Sequence, residues 1–179
     1  MSGRPGLLIA SPTMEDPNFH RTVVLICQHD EKGALGLVIN RPGEVDIIDV
    51  LLRLELDGPL TPDGRTWWGG PVGPGTGFVV WRGQAADEEG WTVGPEVAVS
   101  PAMERLRERV SSGQPYALVL GYAGWAPGQL DAEIASGSWL FADADPDLVF
   151  ELPQAQRYEA ALARLGVDPE RVWMHPVDE

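Results

Sequence analysis

Residues 22–40 read TVVLICQHDEKGALGLVIN, two apolar runs parted by a short polar stretch. Thr22–Gln28 is almost wholly apolar and rich in β-branched side chains. Successive side chains of a strand point to opposite faces, so an apolar run without alternation predicts a strand covered on both sides. His29–Gly33 supplies a hairpin turn, and Ala34–Asn40 returns as a second buried strand that Pro42 ends.

Outward from this hairpin, Gly6–Ser11 reads as a short strand and Pro12–Asn18 as a polar turn. Downstream, Asp46 caps a helix from Ile47 to about Leu56, with Ile47, Ile48, Leu51 and Leu52 on one face. Arg65–Trp68 and Phe78–Arg82 are strands joined by the Gly/Pro-rich turn Gly69–Gly77, and Trp91–Val99 follows an acidic tip at Gln84–Gly90. Trp67, Trp68, Trp81 and Trp91 fall on these strands as core-packing residues. Ser100 and Pro101 open a helix that turns Met103, Leu106 and Val110 inward. Tyr116–Tyr122 is a buried strand ending at Gly124-Trp125, and Pro127–Ser136 is a helix stopped by Gly137. Strand Trp139–Ala142, a helical turn at Pro146–Phe150 and a helix over Ala155–Leu165 complete the chain, the last helix facing inward through Tyr158, Ala161, Leu162 and Leu165. Hairpins come early and helices late, which predicts an α+β fold over regular βαβ alternation. With no repeat, low-complexity stretch or linker, residues 1–179 read as a single domain.

The charge excludes some functions. Acidic residues number 27 against 13 basic ones, for a net charge of −14, and Lys32 is the only lysine. A nucleic-acid surface needs a basic stripe to displace phosphate counterions. Here the densest basic cluster, Arg105, Arg107 and Arg109, is interleaved with Glu104 and Glu108, the pattern of a salt-bridged helix face. Direct binding to DNA or to an anionic membrane is therefore ranked last. The N-terminal apolar run is too short for a signal peptide, no segment has spanning length, and a single cysteine rules out an internal disulfide, so a cytoplasmic location is expected.

The usual marks of chemistry are missing. GGPVGPGTG (69–77) lacks the lysine of a phosphate loop and leads into a strand rather than a helix. His20, His29 and His175 form no metal-ligand spacing, and GxSxG is absent, so neither a metal nor a cofactor is expected. Asp143, Asp145 and Asp147 alternate through a loop without the pattern of a calcium site. Cys27 and His29 lie two apart on a strand, where they share a face. An imidazole there could lower the thiol pKa, against a default of burial. Trp125, at a glycine-rich strand-to-helix junction, is either an exposed interaction anchor or a wedge beneath the turn.

Three stretches, LLIASPTMEDPNFHRTVVLICQHDEKGALGLVINRP (7–42), GGPVGPGTGFVV (69–80) and LGYAGWAPGQLDAEIASGSWL (120–140), resemble in order and spacing the YqgE/AlgH family of bacterial proteins. The match rests on Asp16, Pro17 and Phe19, on Asn40-Arg41-Pro42, on Gly69-Gly70-Pro71-Val72 and on GYAGW with GQL, followed by Asp131 and Glu133. The resemblance implies an α+β fold with a mixed, bifurcated, partly barrel-like sheet surrounded by helices. It implies no defined activity; some members carry a transcriptional-regulator label, which here points to indirect regulation through a partner. The region after Asp143 is the least family-like. Asp16, Phe19, Asn40, Gly70, Trp125 and Gln129 are candidates for a common surface facing a protein partner or small ligand. A thiol-dependent enzyme using Cys27 and His29, or a hydrolase built on scattered polar residues, is the alternative.

Overall fold

In the computed structural model, which describes residues 6–59, 61, 64–86 and 88–167, the decisive hairpin is β2 (Val23–Asp30) and β3 (Gly33–Val38), with β1 (Gly6–Ala10) antiparallel to β2 on its other side. Then come β4 (Pro42–Asp46), α1 (Ile47–Arg53), β5 (Arg65–Trp68), β6 (Val72–Arg82), β7 (Trp91–Val93), β8 (Val97–Ser100) and α2 (Met103–Ser112). β9 (Ala117–Trp125), α3 (Gln129–Ala135), β10 (Trp139–Ala142), α4 (Pro146–Phe150) and α5 (Gln154–Arg164) follow.

The strands run β10-β1-β2-β3-β9-β6-β8-β7 across one sheet, with β4 and β5 off this path. β9 is where the sheet forks. One edge pairs antiparallel with β6 through Val119↔Phe78. The other edge is divided between β3 (Gly36↔Ala123, antiparallel) and β5 (Trp67↔Val119, parallel). Gly69 sits in the fork, its N–H donating to the Leu120 carbonyl and its own carbonyl accepting from the Val38 N–H, each at 2.8 Å. At the far end, β7 comes back against β2, so the sheet curls into a half-barrel. The expected bifurcated α+β architecture is present.

The fork explains the unbroken apolar runs. Along β6, Phe78 and Val80 enter a large core shared with β1–β3, α4 and α5, whereas Val79 and Trp81 enter a second core beneath α1 and α2. β9 and the residue before it alternate likewise, Ala117 and Val119 against Tyr116 and Leu118, as does β8, with Ala98 opposite Val97 and Val99. Both faces are covered, so the polar half of the usual alternation is replaced by a second apolar set.

Several elements differ from expectation. Pro42, expected only to end a strand, opens β4, which pairs with β5. The glycine-rich stretch is a turn only at its start: from Val72 onward it is strand, with a register shift between Val72 and Gly77. Trp91–Val99 folds back at Gly94, whose φ of +63° permits a tight hairpin. α1 buries Ile47 and Leu51 but leaves Ile48 and Leu52 exposed, because the short helix touches the core along a single line. Met103 and Leu165, at helix ends, are also exposed. Ser100 is the last residue of β8; its hydroxyl accepts from the Ala102 N–H, and the helix starts at Met103.

Candidate functional site

The sequence motifs meet around the loop between β1 and β2. Asp16 opens its turn: its carbonyl accepts from the N–H groups of Phe19 (3.0 Å) and His20 (2.7 Å), and its Oδ1 from Asn18 N–H (2.8 Å). The end of the loop is held by the segment after β3. Asn40 Oδ1 accepts from Val23 N–H (2.8 Å), and its Nδ2 donates to the Arg21 carbonyl (2.9 Å). Arg41 donates to the carbonyls of Asn18 (2.7 Å) and His20 (2.8 Å) while lying 5.1 Å from the centre of the Trp68 ring. Arg21 is held at φ +57°, unusual for a side-chain-bearing residue, at the point where Asn40 grips the chain. The Asn-Arg-Pro and Asp-Pro-x-Phe motifs are thus two halves of one clamp.

The clamp aims Phe19 at the end of the sheet. Its ring stacks on Trp125 with centroids 6.0 Å apart and meets Trp139 edge-on at 5.6 Å; the two indoles lie 6.0 Å apart. Glu133 on α3 ties this cluster together. Its Oε1 accepts from both indole N–H groups, Trp125 at 3.0 Å and Trp139 at 2.9 Å, and its Oε2 accepts from the Gln129 amide at 3.0 Å. Gln129 Oε1 in turn accepts from the Ala126 N–H at 2.9 Å. Trp125 is 6% exposed, hence a buried wedge rather than an anchor on the surface. Of the six candidate surface residues, Phe19, Trp125 and Gln129 share this cluster, and Asp16 and Asn40 shape the loop that feeds it. Gly70 lies at the fork of the sheet, where an added Cβ would stand 2.2 Å from the Tyr122 carbonyl.

The thiol's environment is the reverse of an activating one. Cys27 sits at the irregularity between Ile26 and Gln28 in the β2–β3 register, is buried, and has its pKa raised by that burial. His29 instead directs Nε2 to Asp131 Oδ1 at 3.2 Å. The expectation of an activated Cys27–His29 pair is corrected on both counts: the bulge interrupts the period that would align the two side chains, and desolvation disfavours the thiolate. No group of three or more potential metal ligands occurs among the described residues. His175 lies outside them.

The cavity that sequence reading missed lies elsewhere, between the α4–α5 junction and the ends of β5, β6 and β9. It measures about 510 Å³, and its walls include Trp67, Trp81, Tyr116, Phe150, Leu152 and Pro153. Charged groups around it are already engaged. Arg82 bridges Asp147 (2.9 Å) and Glu151 (3.2 Å). Arg157, buried at 4% exposure, donates to the carbonyls of Leu152 and Ile39 and lies 4.6 Å from the centre of the Trp67 ring. Gln154 donates to the carbonyls of Ile39 and Arg41. Trp67 and Trp81 were legible as strand residues, but their convergence with Phe150 was not, since α4 and α5 lie far away in sequence. Arg157, a charge beside Tyr158 on the inner face of a helix, was the one available signal.

Comparison with known proteins agrees with both the motifs and the fold. The family model described as AlgH-like matches residues 7–170. The UPF0301 protein of Anaeromyxobacter sp. (strain K) is 42% identical over 175 residues, covering 92% of this chain and 89% of that protein. A UPF0301 protein of Magnetococcus marinus is 42% identical over 165 residues, covering 90% and 88%. Among solved structures, the solution structure of the AlgH protein from Pseudomonas aeruginosa is similar with a TM-score of 0.73 and 39% identity, covering 92% of this chain and 89% of that one. A crystal structure of a Corynebacterium diphtheriae protein is similar with the same TM-score and 27% identity, covering 90% and 87%. With the clamp, the aromatic cluster and the forked sheet built from the residues that carry the match, the chain belongs to the AlgH-like family.

Proposed function

We propose that the protein is a non-catalytic, cytoplasmic binding protein, and that the cleft between β5, β6, β9 and the α4–α5 junction takes a small ligand. The observation that carries this reading is the convergence of four aromatic side chains, Trp67, Trp81, Tyr116 and Phe150, on a cavity of a size typical for small molecules. The motif residues support it indirectly, because their polar groups are spent on holding the loop and α3. Nitrogen-15 NMR during a screen of small fragments tests the reading. Shifts that gather on the indole N–H groups of Trp67 and Trp81, and vanish in Phe150→Ala, support it. Fragments that bind only elsewhere, or nowhere, defeat it.

A partner protein is the second reading, favoured by the exposed apolar stripe Val45, Ile48 and Leu52. Glu44, Asp49, Glu55 and Asp57 lie along the same segment, so a partner with an apolar centre and a basic rim fits it. Any role in transcription would then be indirect, since a chain of net charge −14 is repelled by DNA. A purified partner whose affinity falls both with added salt and with Leu52→Asp supports this reading; affinity indifferent to both defeats it.

A further inference from the structure

We propose that the outer face of α1 docks a basic amphipathic helix of a partner protein. Ile48 and Leu52 take its apolar side chains, and the neighbouring carboxylates take its lysines or arginines. This rests on the second reading above, a partner protein at this stripe, and specifies the element that lies there. Of the six large apolar side chains exposed among the described residues, three fall in one short segment, Val45 (39%), Ile48 (44%) and Leu52 (66%). Ile48 and Leu52 stand four apart on α1 and so lie one above the other, beside the core-facing pair Ile47 and Leu51. Single apolar side chains at a surface are ordinary, whereas a group of them rimmed by charge marks an interaction site.

The rim has one sign. Residues 44–57 carry five carboxylates against one guanidinium, Arg53. Asp46 pairs with Arg65 at 3.5 Å, whereas Glu44, Asp49, Glu55 and Asp57 are exposed and make no ion pair among the described residues. A second copy of the chain would set these carboxylates against their own kind, and an anionic lipid surface would be repelled in the same way. A cationic partner gains from the same groups. The shape then selects a helix. An extended segment needs main-chain partners, and β4, which leads into α1, is a poor template for one. Pro42 lacks an N–H, the ladder to β5 is broken between Pro42 and Asp46, and the carbonyls of Gly43 and Val45 already accept from the side chains of Arg65 and Thr66. A helix pairs its own backbone and carries apolar groups at the same four-residue spacing, so its ridge lies alongside Ile48 and Leu52.

The test uses three synthetic peptides of equal length. The first sets leucine and lysine in the pattern of an amphipathic helix, the second has glutamate in place of every lysine, and the third holds the residues of the first in an order without an apolar face. Each is titrated into the full-length wild type and Leu52→Asp, followed by the methyl resonances of Ile48 and Leu52, with thermal unfolding of both proteins and sedimentation of the wild type alongside. The leucine–lysine peptide is expected to bind at least tenfold more tightly than the other two and to move both methyl sets. Its affinity should fall as sodium chloride rises from about 0.05 to 0.5 M. It should also fall at least tenfold in Leu52→Asp, although that variant adds a negative charge. If Leu52→Asp melts lower than the wild type, the ranking of the three peptides in the wild type decides. Equal binding of the leucine–glutamate peptide overturns the basic helix and leaves the stripe as an apolar partner surface. Equal binding of the reordered peptide, or tighter binding to Leu52→Asp, overturns it in favour of general attraction to an acidic chain. A wild-type dimer that Leu52→Asp abolishes overturns it in favour of a second copy. Methyls of Ile48 and Leu52 unmoved by any peptide overturn the partner surface itself.

Discussion

Asn40 illustrates how a residue that looks suited to a ligand can be consumed by the fold. Its amide satisfies one backbone donor and one backbone acceptor on the loop that carries Phe19. Val23 is fully buried, so removing its acceptor strands an N–H away from water at a cost of about 2 kcal/mol. Asn40→Ala is therefore expected to lower stability by about that amount in urea unfolding. Asn40→Asp, which keeps the acceptor and loses the donor, should cost less. Cys27 gives a prediction with a definite pH sign. Burial raises the folded-state thiol pKa, so above about 8.5 the unfolded chain releases a proton that the folded chain retains. The unfolded state then binds fewer protons, and the Cys27 contribution to stability falls as pH rises past that point. The slope should be shallower in Cys27→Ala. Thiol reagents should label the native protein only at the rate of its unfolding, and prompt labelling at neutral pH would contradict the burial argument.

At the scale of elements, one carboxylate on α3 ties the helix to two strands, beside the buried Leu130. Glu133 accepts from Trp125 on β9 and Trp139 on β10, strands that do not pair with each other. Glu133→Ala would leave two indole donors without their acceptor, and about 3 kcal/mol of destabilisation is expected from thermal or chemical unfolding. Glu133→Gln keeps an oxygen for the indoles but presents a second donor to the Gln129 amide, so an intermediate loss is expected. If both variants prove neutral, the indoles have found other acceptors and the carboxylate is not the tie. α1 shows the opposite case. The spacing of Ile47, Ile48, Leu51 and Leu52 reads as one helix face, but the core reaches only Ile47 and Leu51. The hydrophobic pattern identifies an amphipathic helix, whereas the width of the buried stripe depends on how much of the neighbouring sheet the helix overlies.

For the whole molecule, the net charge of −14 is a term that no single contact offsets. Acidic groups repel one another more strongly in the compact state than in the expanded one, so raising sodium chloride from about 0.05 to 0.5 M should raise the melting temperature by screening that repulsion. A fall with salt would mean that ion pairs such as those of Arg82 outweigh the net repulsion. No helix among the described residues is long and apolar enough to cross a membrane.

The amino-acid sequence by itself determined the buried β2–β3 hairpin, the α+β class and most element positions. Those follow from local periodicity, turn residues and caps, which act over a few residues. The motifs also marked Phe19, Trp125 and Gln129, which the fold gathers in one cluster. Only the tertiary structure decided that β9 would carry β3 and β5 on one edge, that Arg41 would reach back to Asn18 and His20, and that the Cys27 bulge would break the alignment with His29. Only it brought Trp67 and Trp81 together with Phe150 around a cleft. Each of these depends on a contact between distant segments, and the chain registers such a contact only once the sheet has curled.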